Sequence, residues 1–77
     1  MSTEHPLIAE FPELRNEIHE MKVKDSHFAK LFAEYHEVDH ELHRIDQAIE
    51  TPSDTYTEEL KKKRLHLKDQ LYTLLTK

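Results

Sequence analysis

Histidine is the residue best placed for chemistry in this chain, occurring seven times in 77 residues. His36, His40 and His43 fall within about 60° of one another on a helical wheel. A histidine pair at i, i+4 is a chelate for zinc or nickel, and Asp39 and Asp46 occupy the neighbouring flank. The same imidazoles offer a pH switch, because their protonation would carry the net charge of −5 towards zero and alter self-association. Both readings meet one objection. This face points away from the apolar seam of its own helix, and side chains from a single helix pre-organise no tetrahedral site. A solvated polar face is the simpler account, and no cofactor is expected.

The only basic run, Lys61, Lys62, Lys63 and Arg64, is the polyanion candidate. Its four side chains spread around a whole helical turn, and Glu58 and Glu59 offer ordinary i, i+4 partners to Lys62 and Lys63. Nucleic-acid binders usually concentrate several basic clusters on one face, so nucleic acid is disfavoured. Asp25, Ser26 and His27 are adjacent in the chain, which suits a helix cap better than a catalytic triad. Thr3, Ser53 and the tyrosines have no evident base or oxyanion partner. An enzyme also needs a concave, water-poor pocket to shift its pKa values. The chain is therefore read as a non-enzyme.

Those residues must be positioned by a thin-cored protein, since 36% of residues are hydrophobic and 35% charged. Cysteine is absent, which excludes disulfides and thiolate sites, and so is glycine, which excludes glycine-cradled phosphate loops. Glycine's absence also removes the usual left-handed helix terminator. No apolar run exceeds three residues, as at Leu7 to Ala9, so neither a spanning helix nor an export signal is expected. A cytoplasmic location without membrane contact follows as the default.

Three prolines punctuate the chain. Pro12 suits the first turn of a helix, Pro52 marks a loop, and Asp25 or Ser26 can cap a helix beginning at His27. Helices are expected near 12–22, 26–50 and 54–75, with residues 1–10 frayed and 11–77 forming one domain. In the second helix Phe28, Leu31, Tyr35, Val38, Leu42, Ile45 and Ile49 alternate at spacings of three and four, a heptad seam. In the third, Tyr56, Leu60, Arg64, Leu67, Leu71 and Leu74 form the matching series.

The two series are mirror images about the Pro52–Ser53 bond: Tyr56 pairs with Ile49, Leu60 with Ile45, and Leu67 with Val38. An all-α fold is predicted, an antiparallel two-helix hairpin of coiled-coil type with a short N-terminal helix. Acidic residues dominate 34–50 while Lys61 to Lys68 is basic, which favours this orientation. Arg64 is expected beside Glu41 or Asp39, its stem packed and its head reaching outward.

One seam stabilises so short a chain poorly. Leu65, Tyr72 and Leu75 form a second stripe on the third helix, and Phe32 widens the second helix near the same end. Leu7, Phe11, Leu14, Ile18 and Met21 repeat at four and three and can cover that surface. The stripe is thus the seat of the first helix, a contact with a second copy, or a docking face for another protein.

The segments DSHFAKLF at 25–32, HEVDHEL at 36–42 and KKKRLHLKDQL at 61–71, with FPELR at 11–15, resemble the YdcH-like family of small bacterial proteins. The likeness spans residues 11–75. It implies a short cytoplasmic helical hairpin and supplies no reaction; the extra histidines are this chain's departure. The functional expectation is a protein–protein interaction module using Phe32, Leu65, Tyr72 and Leu75. The alternative is a regulator responding to polyanions, metal or pH through residues 61–64 or His36, His40 and His43.

Overall fold

The computed structural model describes residues 6–49 and 51–77. Its elements are α1 (Leu7–Glu10), a 3-10 turn (Pro12–Leu14), α2 (Arg15–Lys24), α3 (Ser26–Asp46) and α4 (Asp54–Leu75). The described residues contain no strand, and the protein is all-α.

The N-terminal apolar series does not form one helix. Phe11 precedes a proline, which disfavours helical backbone, and it sits at φ −130°, ψ 65°. α1 therefore ends there, and Pro12 opens a 3-10 turn before α2 begins at Arg15. The expectation of fraying over 1–10 falls partly on residues 1–5, outside the described residues. Leu7–Glu10 is a docked helical turn, because Leu7 is fully buried (0% exposed) in the common core.

Asp25 separates α2 from α3 without help from glycine or proline. Its N–H donates to the Met21 carbonyl at 2.9 Å, closing α2. Its Oδ1 accepts from the His27 and Phe28 N–H groups at 2.9 and 3.2 Å, opening α3. One extended residue (φ −122°, ψ 108°) thus ends one helix and caps the next.

α3 stops at Asp46, short of the expected 50. Ala48 takes a left-handed φ of 60°. Its N–H donates to the Ile45 carbonyl and that of Ile49 to the Arg44 carbonyl, both at 3.1 Å. These two bonds are the Schellman termination, built on alanine where glycine is usual. α4 then starts at a serine cap, with Ser53 Oγ accepting from the Tyr56 N–H at 3.2 Å.

The core gathers Phe28, Leu31, Tyr35, Val38 and Leu42 from α3, Leu60, Leu67 and Leu71 from α4, and Leu7 and Ile18 from the N-terminal part. Each such large apolar side chain contributes about 1.5–3 kcal/mol on burial. α3 and α4 share the most extensive contact between elements, and α2 lies mainly on α3 with a smaller contact to α4.

Two seam positions at the loop end are corrected. Ile49 is 70% exposed because α3 has already terminated and Ile49 leaves the helical face. Tyr56 is also exposed, and its hydroxyl donates to Glu41 Oε2 rather than packing on Ile49. The charged seam residue, Arg64, donates from Nη1 to Asp39 Oδ1 at 2.9 Å. Asp39 is 2% exposed, so the pair ties α3 to α4 from inside the packing.

Candidate functional site

Helical spacing places Lys61, Leu65, Lys68 and Tyr72 within a stripe about 60° wide on α4. The core residues Leu60, Leu67 and Leu71 fix the rotation of the helix, so this stripe lies to the side of the core. Leu65 is 55% and Tyr72 45% exposed. Leu75, expected in the same stripe, is half-buried and packs against the core.

Phe32 is held differently. Its ring lies 6.2 Å from Phe28 and 4.4 Å from the His36 imidazole, with Lys22 Nζ of α2 at 4.5 Å from its centroid. Its ring contacts are therefore on α2 and α3, while Leu65 and Tyr72 share the α4 stripe.

The N-terminal part reaches the stripe at two consecutive residues. The Phe11 ring sits 5.0 Å from that of Tyr72, tilted by 36°. Glu10 Oε1 lies 3.5 Å from Lys68 Nζ, in a partly accessible ion pair. Part of the second stripe thus seats the N-terminal segment, the arrangement considered alongside docking.

Beside these contacts, Glu10, Tyr35, Lys61, Arg64, Leu65 and Lys68 line a cleft of about 160 Å³. Tyr35 in its wall is fully buried. Burial first, then the negative Asp39 and Glu10, push its phenol well above the usual tyrosine value, so it stays protonated at neutral pH.

The histidine face is not uniformly turned to solvent. His36 is half-buried, its ring 4.4 Å from Phe32 and 5.5 Å from Tyr35. His40 is exposed and His43 half-buried. Among the described residues no group of three or more histidine, cysteine or acidic side chains is arranged to hold a metal ion.

The basic run is likewise divided. Lys61, Lys62 and Lys63 are exposed, while Arg64 is engaged with Asp39. Lys61 meets Glu58 at 3.5 Å and Lys62 meets Glu59 at 3.6 Å, both at i, i+3 where i, i+4 partners were expected. Only Lys61 and Arg64 of the run turn towards the cleft.

Of the residues that border this face, Phe11 was expected from the sequence as cover for the stripe, whereas Glu10 and Lys68 were not singled out as site residues. The available signal was the seven-residue spacing of Lys61 and Lys68, which matches that of Leu65 and Tyr72.

No described helix is long and apolar enough to cross a membrane. Comparison with curated proteins and with solved structures gives no match. A family model described as a protein of unknown function (DUF465) matches residues 28–75, which spans α3 and α4 almost entirely. YdcH-like proteins belong to that same family of small helical proteins, so the resemblance read from the motifs and the family match agree. On a match covering more than half of its length, the chain belongs to the DUF465 family of proteins of unknown function.

Proposed function

We propose that this chain is a small, non-catalytic, cytoplasmic interaction module: an antiparallel helical hairpin that docks another protein through the α4 stripe. The observation that carries the reading is the pair Leu65 and Tyr72, one heptad apart and about half exposed. Lys61 and Lys68 flank them. Apolar side chains repeating along a helix and rimmed by charge are the usual composition of a docking face. Catalysis is less well supported by the neighbouring groups. Tyr35 is held protonated, and Arg64 and Lys68 are engaged by carboxylates.

The test is a cross-linked capture from native cytosol with wild type and Leu65→Ser/Tyr72→Ser as baits. Leu75 is left intact because it packs against the core. A captured protein is then purified and its affinity for both baits measured. The expected result is a loss of about tenfold or more in the variant, as for anchors at an interface centre. If the same proteins follow both folded baits with equal affinity, the stripe is packing surface and the reading fails.

A further inference from the structure

We infer that two copies of this chain exchange their α4 helices, each α4 packing on the α3 of the partner copy, with residues 47–53 as the hinge. This exchange is independent of the docking reading above. α4 keeps the same kind of α3 surface beneath it, so Leu65 and Tyr72 stay as exposed as before.

The turn between α3 and α4 carries two observations that point to a second conformation. Ala48 holds a left-handed φ of 60° with a Cβ in place, and its exposed methyl gains no packing there. Ile49 continues the α3 series Val38, Leu42, Ile45 at the heptad spacing, yet it is 70% exposed because the helix has stopped at Asp46. A single change answers both. With Ala48 right-handed, α3 runs on through Ile49, whose side chain returns to the seam face. Thr51 precedes Pro52 and is biased towards extended backbone, so the helix ends there and the chain no longer folds back at Ala48. α4 is carried away from its own α3.

α4 cannot stay uncovered, since Leu60, Leu67 and Leu71 are core residues and its contact with α3 is the most extensive in the molecule. A second copy opened in the same way offers the same α3 surface. Asp39 with Arg64, Glu41 with Tyr56, Glu10 with Lys68 and Phe11 with Tyr72 then re-form between two chains. The exchange gives up no core contact, relieves two left-handed alanines and returns two Ile49 side chains to a seam. What opposes it is the lost freedom of one chain, which concentration offsets. Short hinges under strain are a known origin of such exchanged dimers.

The protein is refolded from urea at about 1 mM, a typical effective concentration for a short linker, and at a concentration about a hundredfold lower. Mass is read by light scattering. Expected are a dimer, twice the 9.3 kDa of one chain, at the higher concentration and a monomer at the lower. Ala48→Gly should weaken the dimer by about tenfold or more, and Ala48→Val, worse suited to a left-handed φ, should strengthen it similarly.

Two further measurements identify the exchanged element. Asp39→Arg and Arg64→Asp chains each set like charges face to face when alone. Mixed and refolded together, they meet opposite charges at both sites only if α4 is exchanged, so recovery of helical ellipticity as a heterodimer is expected. Wild type gives the independent check, should those variants fold poorly even when mixed. In a dimer of isotope-labelled and unlabelled wild-type chains, nuclear Overhauser effects should connect Tyr56 of one chain with Glu41 of the other.

A monomeric mass for both wild type and Ala48→Val at the higher concentration would overturn the inference. So would a dimer indifferent to Ala48→Gly, or one in which the Tyr56–Glu41 contact stays within each chain. In that last case, Phe11–Tyr72 contacts crossing between chains would assign the exchange to the N-terminal segment instead.

Discussion

Ala48 bends the chain left-handed with a Cβ in place, at φ 60°. For an L-residue with a side chain that conformation costs about 1–2 kcal/mol, and Ala48 is exposed, so its methyl makes no compensating packing. Ala48→Gly relieves the clash while giving back part of the gain through a more flexible unfolded chain. The expected net effect is a stabilisation of about 1 kcal/mol, read as a rise of roughly 4–8 °C in Tm for a domain of this size. An unchanged or lowered Tm would mean that the backbone there is not what limits the turn.

Tyr35 supplies the pH-dependent element at the same scale. Its folded pKa is raised above the ordinary value of 10.0, chiefly by burial. The neutral phenol is thus favoured in the folded state, and its contribution is fully present below about pH 10. Above that pH the unfolded chain releases the proton while the folded protein keeps it, so stability falls as pH rises. The slope is at most about 1.4 kcal/mol per pH unit. Urea midpoints of wild type and Tyr35→Phe between about pH 9 and 11 isolate it, because lysines and the other tyrosines are common to both. Parallel curves would refute the assignment.

Between elements, Arg64 and Asp39 decide how α4 sits on α3. Asp39 is almost wholly enclosed, while the Arg64 side chain keeps 21% of its accessibility. The two partners are therefore unequal. Arg64→Leu leaves a carboxylate inside the packing without its guanidinium and should cost about 3 kcal/mol. Asp39→Leu leaves a guanidinium that can lean into water and should cost less. The double replacement Asp39→Leu/Arg64→Met should recover most of the loss, since apolar substitutes for a buried pair are often neutral. Denaturant midpoints of the three variants provide the comparison; equal losses in the single variants would remove burial of Asp39 as the cause.

How much of these elements could be read from the residues follows from which interactions set them. Burial of Phe28, Leu31, Tyr35, Val38, Leu42, Leu60, Leu67 and Leu71 was legible, because helical periodicity alone puts them on one side of each helix. The acidic partner of Arg64 was legible to within two candidates, one helical turn allowing either. Ile49 was not: the stop after Asp46 depends on a left-handed alanine, and no glycine advertises it. The partial burial of His36 was also hidden. It comes from Phe32 and Tyr35 together with the placement of α2 beside them, a tertiary fact absent from the pattern of α3 alone. Glu10 was one acid among sixteen, and only folding of the Phe11–Pro12 break brings it to Lys68.

As a whole the molecule is a short slab, 37 × 23 × 16 Å, with a Cα radius of gyration of 13.2 Å. A sphere-like chain of this length would have about 11–12 Å, so the molecule is elongated, its long dimension close to the roughly 33 Å length of a 22-residue helix such as α4. Most of the core belongs to those two helices, and the N-terminal segment adds Leu7 and Ile18 to it. Stability should be distributed accordingly. In Phe11→Ala, amide exchange across residues 7–24 should accelerate while residues 28–42 and 60–71 keep their protection. Mass-resolved hydrogen exchange reads this directly, and uniform acceleration along the chain would show that all the helices open as one unit.

The contact between Phe11 and Tyr72 joins residues sixty-one positions apart in the chain. Tyr56 and Glu41, by contrast, are separated by fifteen. During synthesis the ring of Phe11 therefore leaves the ribosome with no seat to occupy, and its seat follows several seconds later at roughly 5–20 residues per second. Loop closure over the longer span is also the costlier step. Docking of Phe11 on Tyr72 thus has to wait until α4 has been made. Until then the nascent chain carries the Glu10 carboxylate and the Phe11 ring without the α4 side chains they meet in the folded protein.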